Sequence, residues 1–102
     1  MSGGALRWGF VFLSCPLPLS EEQKLALAKL AAKAWFEDAT ELSVAEGEFR
    51  ATVRPTSDTV MLGTFYGQRF TAEVFLPERS GKVEFLVAEA ALAAARAEVA
   101  EA

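Results

Sequence analysis

The final stretch, SGKVEFLVAEAALAAARAEVAEA (Ser80–Ala102), is the longest run with little to break a regular element, and its reading decides the fold. At about 100° per residue, Phe85, Ala88, Leu92, Ala95, Val99 and Ala102 fall at alternating spacings of three and four, the seam of a helix packed on another helix. Val83, Leu86, Val87, Ala90, Ala94 and Ala97 form a second seam on nearly the opposite side. Glu84, Glu89, Arg96 and Glu98 fill the gaps. A helix apolar on two faces needs two partners, so the pattern predicts a long helix whose Phe85, Leu92 and Val99 stripe meets a second copy of the chain; the plain alternative sets one stripe on the sheet and the other on the helix that starts at Ser20, within one chain. A two-fold axis near Leu92 would bring Phe85 towards Val99 and Glu89 towards Arg96 of the other copy, an isologous pairing. The competing reading makes Pro77–Lys82 a hairpin loop and Val83–Val87 a strand with Val83, Phe85 and Val87 on one face. The helix is preferred because Ala88–Ala102 alone offers only Leu92 and Val99 as large anchors.

Working backwards, Thr59–Phe65 and Phe70–Leu76 read as a hairpin around Tyr66-Gly67-Gln68-Arg69, preceded by a loop at Pro55–Asp58. Phe49, Ala51 and Val53 alternate with Arg50, Thr52 and Arg54, and Glu46-Gly47-Glu48 marks a turn or bulge after Leu42 and Val44. Ser20 opens a helix that runs to about Phe36: Gln23 completes a capping box, and Glu21 and Glu22 suit the positive helix end. Its core face carries Leu27, Ala28, Leu30, Ala31, Ala34 and Trp35. Leu6–Ser14 is nearly continuously apolar, as in a central strand covered on both faces, and Pro16 and Pro18 end it. The expected fold is therefore one α+β domain over 1–102. It is a two-layer sandwich in the order β-α-β-β-β(-β)-α, with a mostly antiparallel sheet and two helices packed on one face.

Composition narrows the chemistry. The 102 residues are 52% apolar, 24% charged and 11% aromatic, which describes a globular chain, and a net charge of −4 gives no general attraction to nucleic acid or anionic lipid. The sequence has no histidine and a single cysteine, Cys15, so Ser-His-Asp and Cys-His catalysis, histidine-ligated metals and an internal disulfide are excluded. Isoleucine and asparagine are missing and arginine outnumbers lysine, the codon imprint of a GC-rich, bacterial genome. Arg7, the apolar run Trp8–Leu13 and Ser14-Cys15 make too short a segment for a secretory signal. No stretch approaches the roughly 20 apolar residues that span a bilayer. A cytoplasmic protein with no membrane association and no cofactor is the expectation.

Two nucleic-acid families share part of this pattern. Phe10-Val11-Phe12-Leu13 followed by prolines and Ser20-Glu21-Glu22 resembles the first strand and helix start of an RNA-recognition motif, without a second aromatic motif on a middle strand. The helix, three strands, helix order resembles a double-stranded RNA-binding domain, yet Gly81-Lys82-Val83-Glu84 stands where that family carries basic residues. Neither family is assigned.

Alternation places Glu48, Arg50, Thr52, Arg54, Arg69, Thr71, Glu73 and Phe75 on the outward face of the sheet. Arg50, Arg54 and Arg69 beside Phe75 are candidates for holding an anion or an acidic partner segment; the plain alternative is a solvated face of cross-strand pairs with Glu48 and Glu73. Tyr66 with Arg69, and Glu46 with Glu48, are the nearest approach to catalytic constellations, and both suit wet turns better. An apolar pocket lined by Trp8, Trp35 and Phe70 is a weaker possibility. The sequence thus points to a small non-enzymatic interaction or adaptor protein, homodimeric through its last helix, that binds a protein partner. The runner-up is a nucleic-acid or anionic-ligand module using the arginine face.

Overall fold

Residues 80–88 form a strand. In the computed structural model, which describes residues 9–93, Ser80–Ala88 pairs along its whole length with one neighbouring strand and through Glu84–Val87 with another. Val83, Phe85 and Val87 point into the core, at most 1% exposed. The β-branched and aromatic residues of Val83–Val87 fit a pleated, buried surface. Two neighbours also satisfy the backbone on both sides, which a helix here would have left undone for the flanking strands.

The described elements in order are β1 (Phe10–Ser14), α1 (Glu21–Phe36), β2 (Leu42–Glu46), β3 (Phe49–Leu62), β4 (Phe65–Phe75) and β5 (Ser80–Ala88). Residues 89–93 then begin a second helix, α2. The sheet runs β1-β5-β4-β3-β2 with every pairing antiparallel. This is an α+β sandwich. Helix α1 packs chiefly on β3, with β2 and β5 beside it, through Leu27, Ala28, Ala31 and Ala32. Its alanines let the helix axis lie close to the sheet. Ser20 caps it as the sequence predicts: Gln23 N donates to Ser20 Oγ (3.1 Å) and Ser20 N donates to Gln23 Oε1 (2.9 Å). Leu92 of α2 is buried in the same core and Ala91 packs against it, so α2 starts on the same face as α1.

A row of rings ties the layers together. Phe12 stacks on Phe85 (centroids 4.8 Å), Phe85 on Phe70 (5.8 Å), and Trp35 meets Phe70 edge-on (6.2 Å), linking β1, β5, β4 and α1.

Five sequence expectations are corrected. The helix over residues 80–102 does not exist as read, since its first nine residues are β5. The Phe85, Leu92 and Val99 stripe falls with it: Phe85 is a core residue of a strand, Leu92 is 4% exposed in the core, and Val99 and Arg96 lie outside the described residues. Strand β1 is an edge strand, because β5 lies between it and β4, the central strand; Val11 and Leu13 are 36% and 43% exposed. The proposed loop at Pro55–Asp58 is a bulge within β3: pairing passes from Pro55↔Phe70 to Thr59↔Gln68, so three residues face Arg69 alone, with Ser57 at φ 68°. Pro55 is tolerated because β2 ends opposite Val53, leaving β3 an edge there. Finally, the hairpin turns at Gly63-Thr64, with Gly63 at φ 64°, while Tyr66–Arg69 belong to β4.

Candidate protein-docking face

The outward face of the sheet has no helix over it among the described residues, and its side chains follow from strand parity. Row by row, β2 contributes Ser43 and Ala45, β3 Arg50, Thr52 and Arg54, and β4 Arg69, Thr71, Glu73 and Phe75. From β5 come Lys82, Glu84 and Leu86. Leu86 is fully buried between Arg69 and Val11 in the register. The inside and outside sets assigned to Phe49–Arg54 and Arg69–Phe75 from alternation hold in the structure.

Two of the three candidate arginines are committed to carboxylates. Arg54 Nε donates to Glu41 Oε1 (2.9 Å) and its Nη1 to Glu73 Oε1 (3.3 Å). Arg69 Nη1 donates to Asp58 Oδ2 (3.2 Å) and its Nη2 to Glu84 Oε2 (2.7 Å). The hydrogen bond from Arg54 to Glu73, then the charge of Glu41, raises the Arg54 pKa above its ordinary value; Glu84 foremost, and then Asp58, does the same for Arg69. These ladders are the plain alternative foreseen for the face, with Glu73 as expected and with Glu41, Asp58 and Glu84 in place of Glu48. Sequence reasoning missed Glu41 and Asp58 because each lies outside the regular alternation, one before β2 and one in the bulge, and Glu84 because its segment reads as helix.

Arg50 differs. It is exposed and has no hydrogen bond or ion pair among the described residues. It stands in register between Ala45 of β2 and Phe75 of β4, whose ring is 44% exposed. Ser43, Val44, Ala45, Arg50, Ala51, Thr52 and Phe75 line a shallow hollow of about 480 Å³. Ser43 and Thr52 hydroxyls meet across its floor at 2.9 Å. A second hollow, bordered by Glu48 and Pro77, shares Arg50 and Phe75. The arrangement offers one uncompensated cation, an aromatic surface and small side chains towards the sheet edge.

The other candidates are dispersed. Tyr66 lies on the face opposite Arg69 by strand parity, on the arm where β3 and β4 project past β5. Glu46 and Glu48 are exposed on either side of the Gly47 turn. Cys15 Sγ donates to Leu17 O (3.3 Å). Phe70 is fully buried with Trp35 against it, so that part of the suggested pocket is filled core, and Trp8 lies outside the described residues. Glu89 accepts from Gln68 Nε2 (3.0 Å), which also donates to Thr59 Oγ1 (2.9 Å). Gln68 thus fastens the start of α2 to β4 and β3, a buried polar role that the sequence did not signal. Among the described residues no group of three or more histidine, cysteine, aspartate or glutamate side chains is placed to hold a metal ion. No described helix is long and apolar enough to cross a membrane.

Comparison with family models, with curated proteins and with solved structures finds no match.

Proposed function

We propose that this chain is a small, non-enzymatic cytoplasmic interaction protein that binds a protein partner through the outer sheet face around Arg50 and Phe75. The observation that carries the reading is the exposed Arg50, without a partner among the described residues, next to a half-exposed aromatic ring at the mouth of a hollow. Arginine and aromatic side chains are the residue types that dominate binding energy when a partner desolvates them. A single free thiol suits a reducing compartment.

The pairing of the arginines counts against nucleic acid. A strand of phosphates drawn to Arg50, Arg54 and Arg69 would have to compete with Glu41, Asp58, Glu73 and Glu84, on a chain whose net charge is already negative. Self-association through the last helix is not part of the proposal, because Phe85 and Leu92 are spent in the core of one chain.

The test is crosslinking in the source cells with tagged wild type and an Arg50→Glu, Phe75→Ser variant, both shown to be folded. A protein enriched by wild type and lost from the variant is expected. Equal capture by both, no capture by either, or co-purified nucleic acid that the variant loses would contradict the reading.

A further inference from the structure

The edge strand β2 presents its backbone on the same side of the chain as the hollow. The β2–β3 turn is two residues long, Gly47-Glu48, so its closing pair Glu46↔Phe49 exchanges hydrogen bonds. Counting from it, Val44↔Ala51 and Leu42↔Val53 are also bonded pairs, whereas Ser43↔Thr52 and Ala45↔Arg50 are not. The N–H and C=O of Ser43 and Ala45 therefore point away from β3, to the open edge of the sheet. These same residues carry the small, exposed side chains that floor the hollow.

Among the described residues, two other edges are guarded. The β1 ladder is broken by a register shift between Phe12 and Ser14, and prolines at positions 16 and 18 follow it. The stretch of β3 beyond β2 is interrupted by Pro55 and the bulge at Thr56–Asp58. Prolines, bulges and lysines are the usual means of blunting an edge. Leu42–Glu46 carries none of them and keeps a regular register.

We infer that β2 accepts an extended segment of a partner protein as a sixth strand, and that a carboxylate on that segment, opposite Ala45, is bound by Arg50. This rests on the docking face proposed above and specifies how that face is used. A strand added beside β2 lies about 10 Å from β3, and the Ala45 methyl leaves the path open for the long Arg50 side chain to reach it. Charge decides the occupant. A second copy pairing through its own β2 brings Ser43 and Ala45 to the outward face, and its Glu41 already accepts from Arg54. It therefore offers Arg50, at most, a carboxylate that another arginine already holds. An acidic segment of a different protein supplies both the backbone partners and the missing charge, the combination typical of strand-addition sites.

The experiment is titration of the isotopically labelled full chain with a blocked heptapeptide alternating threonine and valine around a central glutamate, followed by NMR. Parallel titrations use the same peptide with glutamine at the centre, an N-methylated form, inorganic phosphate and a single-stranded oligonucleotide. Saturable shifts at the Ser43 and Ala45 amides are expected, abolished by N-methylation. Arg50→Gln is expected to weaken the glutamate peptide by about fivefold or more while leaving the glutamine peptide unchanged. Ala45→Pro removes only an N–H that faces the open edge, so it is expected to keep the fold and lose the peptide. Shifts at Arg50 and Phe75 without Ser43 and Ala45 would overturn strand addition while sparing the docking face. Shifts at none of the four would overturn both. Phosphate or oligonucleotide matching the peptide at Arg50, or concentration-dependent dimer formation through β2, would also overturn the inference.

Discussion

Phe85 shows how one side chain settles the identity of the segment around it. It is fully buried, stacked between Phe12 and Phe70, and its strand is the one that joins those two rings. Phe85→Ala opens a cavity at the centre of the row, and an equilibrium denaturant titration is expected to show a loss of about 3–5 kcal/mol. Gln68 makes a different kind of contribution, since its amide is buried and serves both Thr59 and Glu89. Gln68→Leu removes both donations at once. Its expected cost is about 1–3 kcal/mol, with faster amide exchange at residues 89–93 as the local readout. Arg54 links β3 and β4 to the residue before β2, and Arg69 links β3, β4 and β5; their side chains are half-exposed, so the benefit of the pairs is screened by solvent and salt. Their pKa values are raised on folding, so this contribution is complete below the ordinary arginine value and is lost only as pH rises through the raised one. Neither arginine therefore adds pH dependence to stability in the neutral range.

At the scale of elements, α1 is the one whose boundaries were legible from residues alone, and most of its core face with them: Leu27, Ala28, Ala31 and Ala34 are buried as expected, whereas Trp35 is 39% exposed and Ala32 is buried in addition. Ser20 and Gln23 satisfy orphan N–H groups locally, and local chemistry can be read without knowing the fold. Ser20→Ala is expected to cost about 1 kcal/mol in thermal or denaturant unfolding. The inside and outside residues of β3 and β4 were legible for a similar reason, because Phe49, Ala51, Val53, Phe70, Ala72 and Val74 alternate strictly with polar side chains. Strand β5 was not. Val83, Phe85, Leu86 and Val87 satisfy a helical period and a strand period equally, and what chooses between them is pairing with β1 and β4, far away in sequence. The same ambiguity misplaced β1, whose apolar run suits an interior strand until β5 takes the interior position beside it. The turn at Gly63-Thr64 was overlooked in favour of Gly67, which instead lies buried in β4. On the outward face, Arg50 and Phe75 were within reach of alternation, whereas the lack of a partner for Arg50 among the described residues was not: the placement of Glu41 and Glu73 beside Arg54, and of Asp58 and Glu84 beside Arg69, sets it apart from them.

At the scale of the whole molecule, the described residues form one sheet with helices on one side and none on the other, the side to which the proposal assigns the partner. This arrangement also reassigns the apolar residues that suggested a dimer seam. Leu92→Glu buries a charge in the core of a single chain, so it is expected to destabilise the fold by more than about 2 kcal/mol rather than release a folded monomer. Light scattering with circular dichroism on this variant distinguishes the two outcomes. The most direct test of the account concerns Val83–Val87 itself, because the sheet order, the edge at β2 and the open face all depend on that strand. An NMR nuclear Overhauser experiment is expected to show Phe85 in cross-strand contact with Phe12 on one side and Phe70 on the other. Sequential amide-to-amide contacts running unbroken from Val83 through Leu92 would instead make the segment helical and contradict the account.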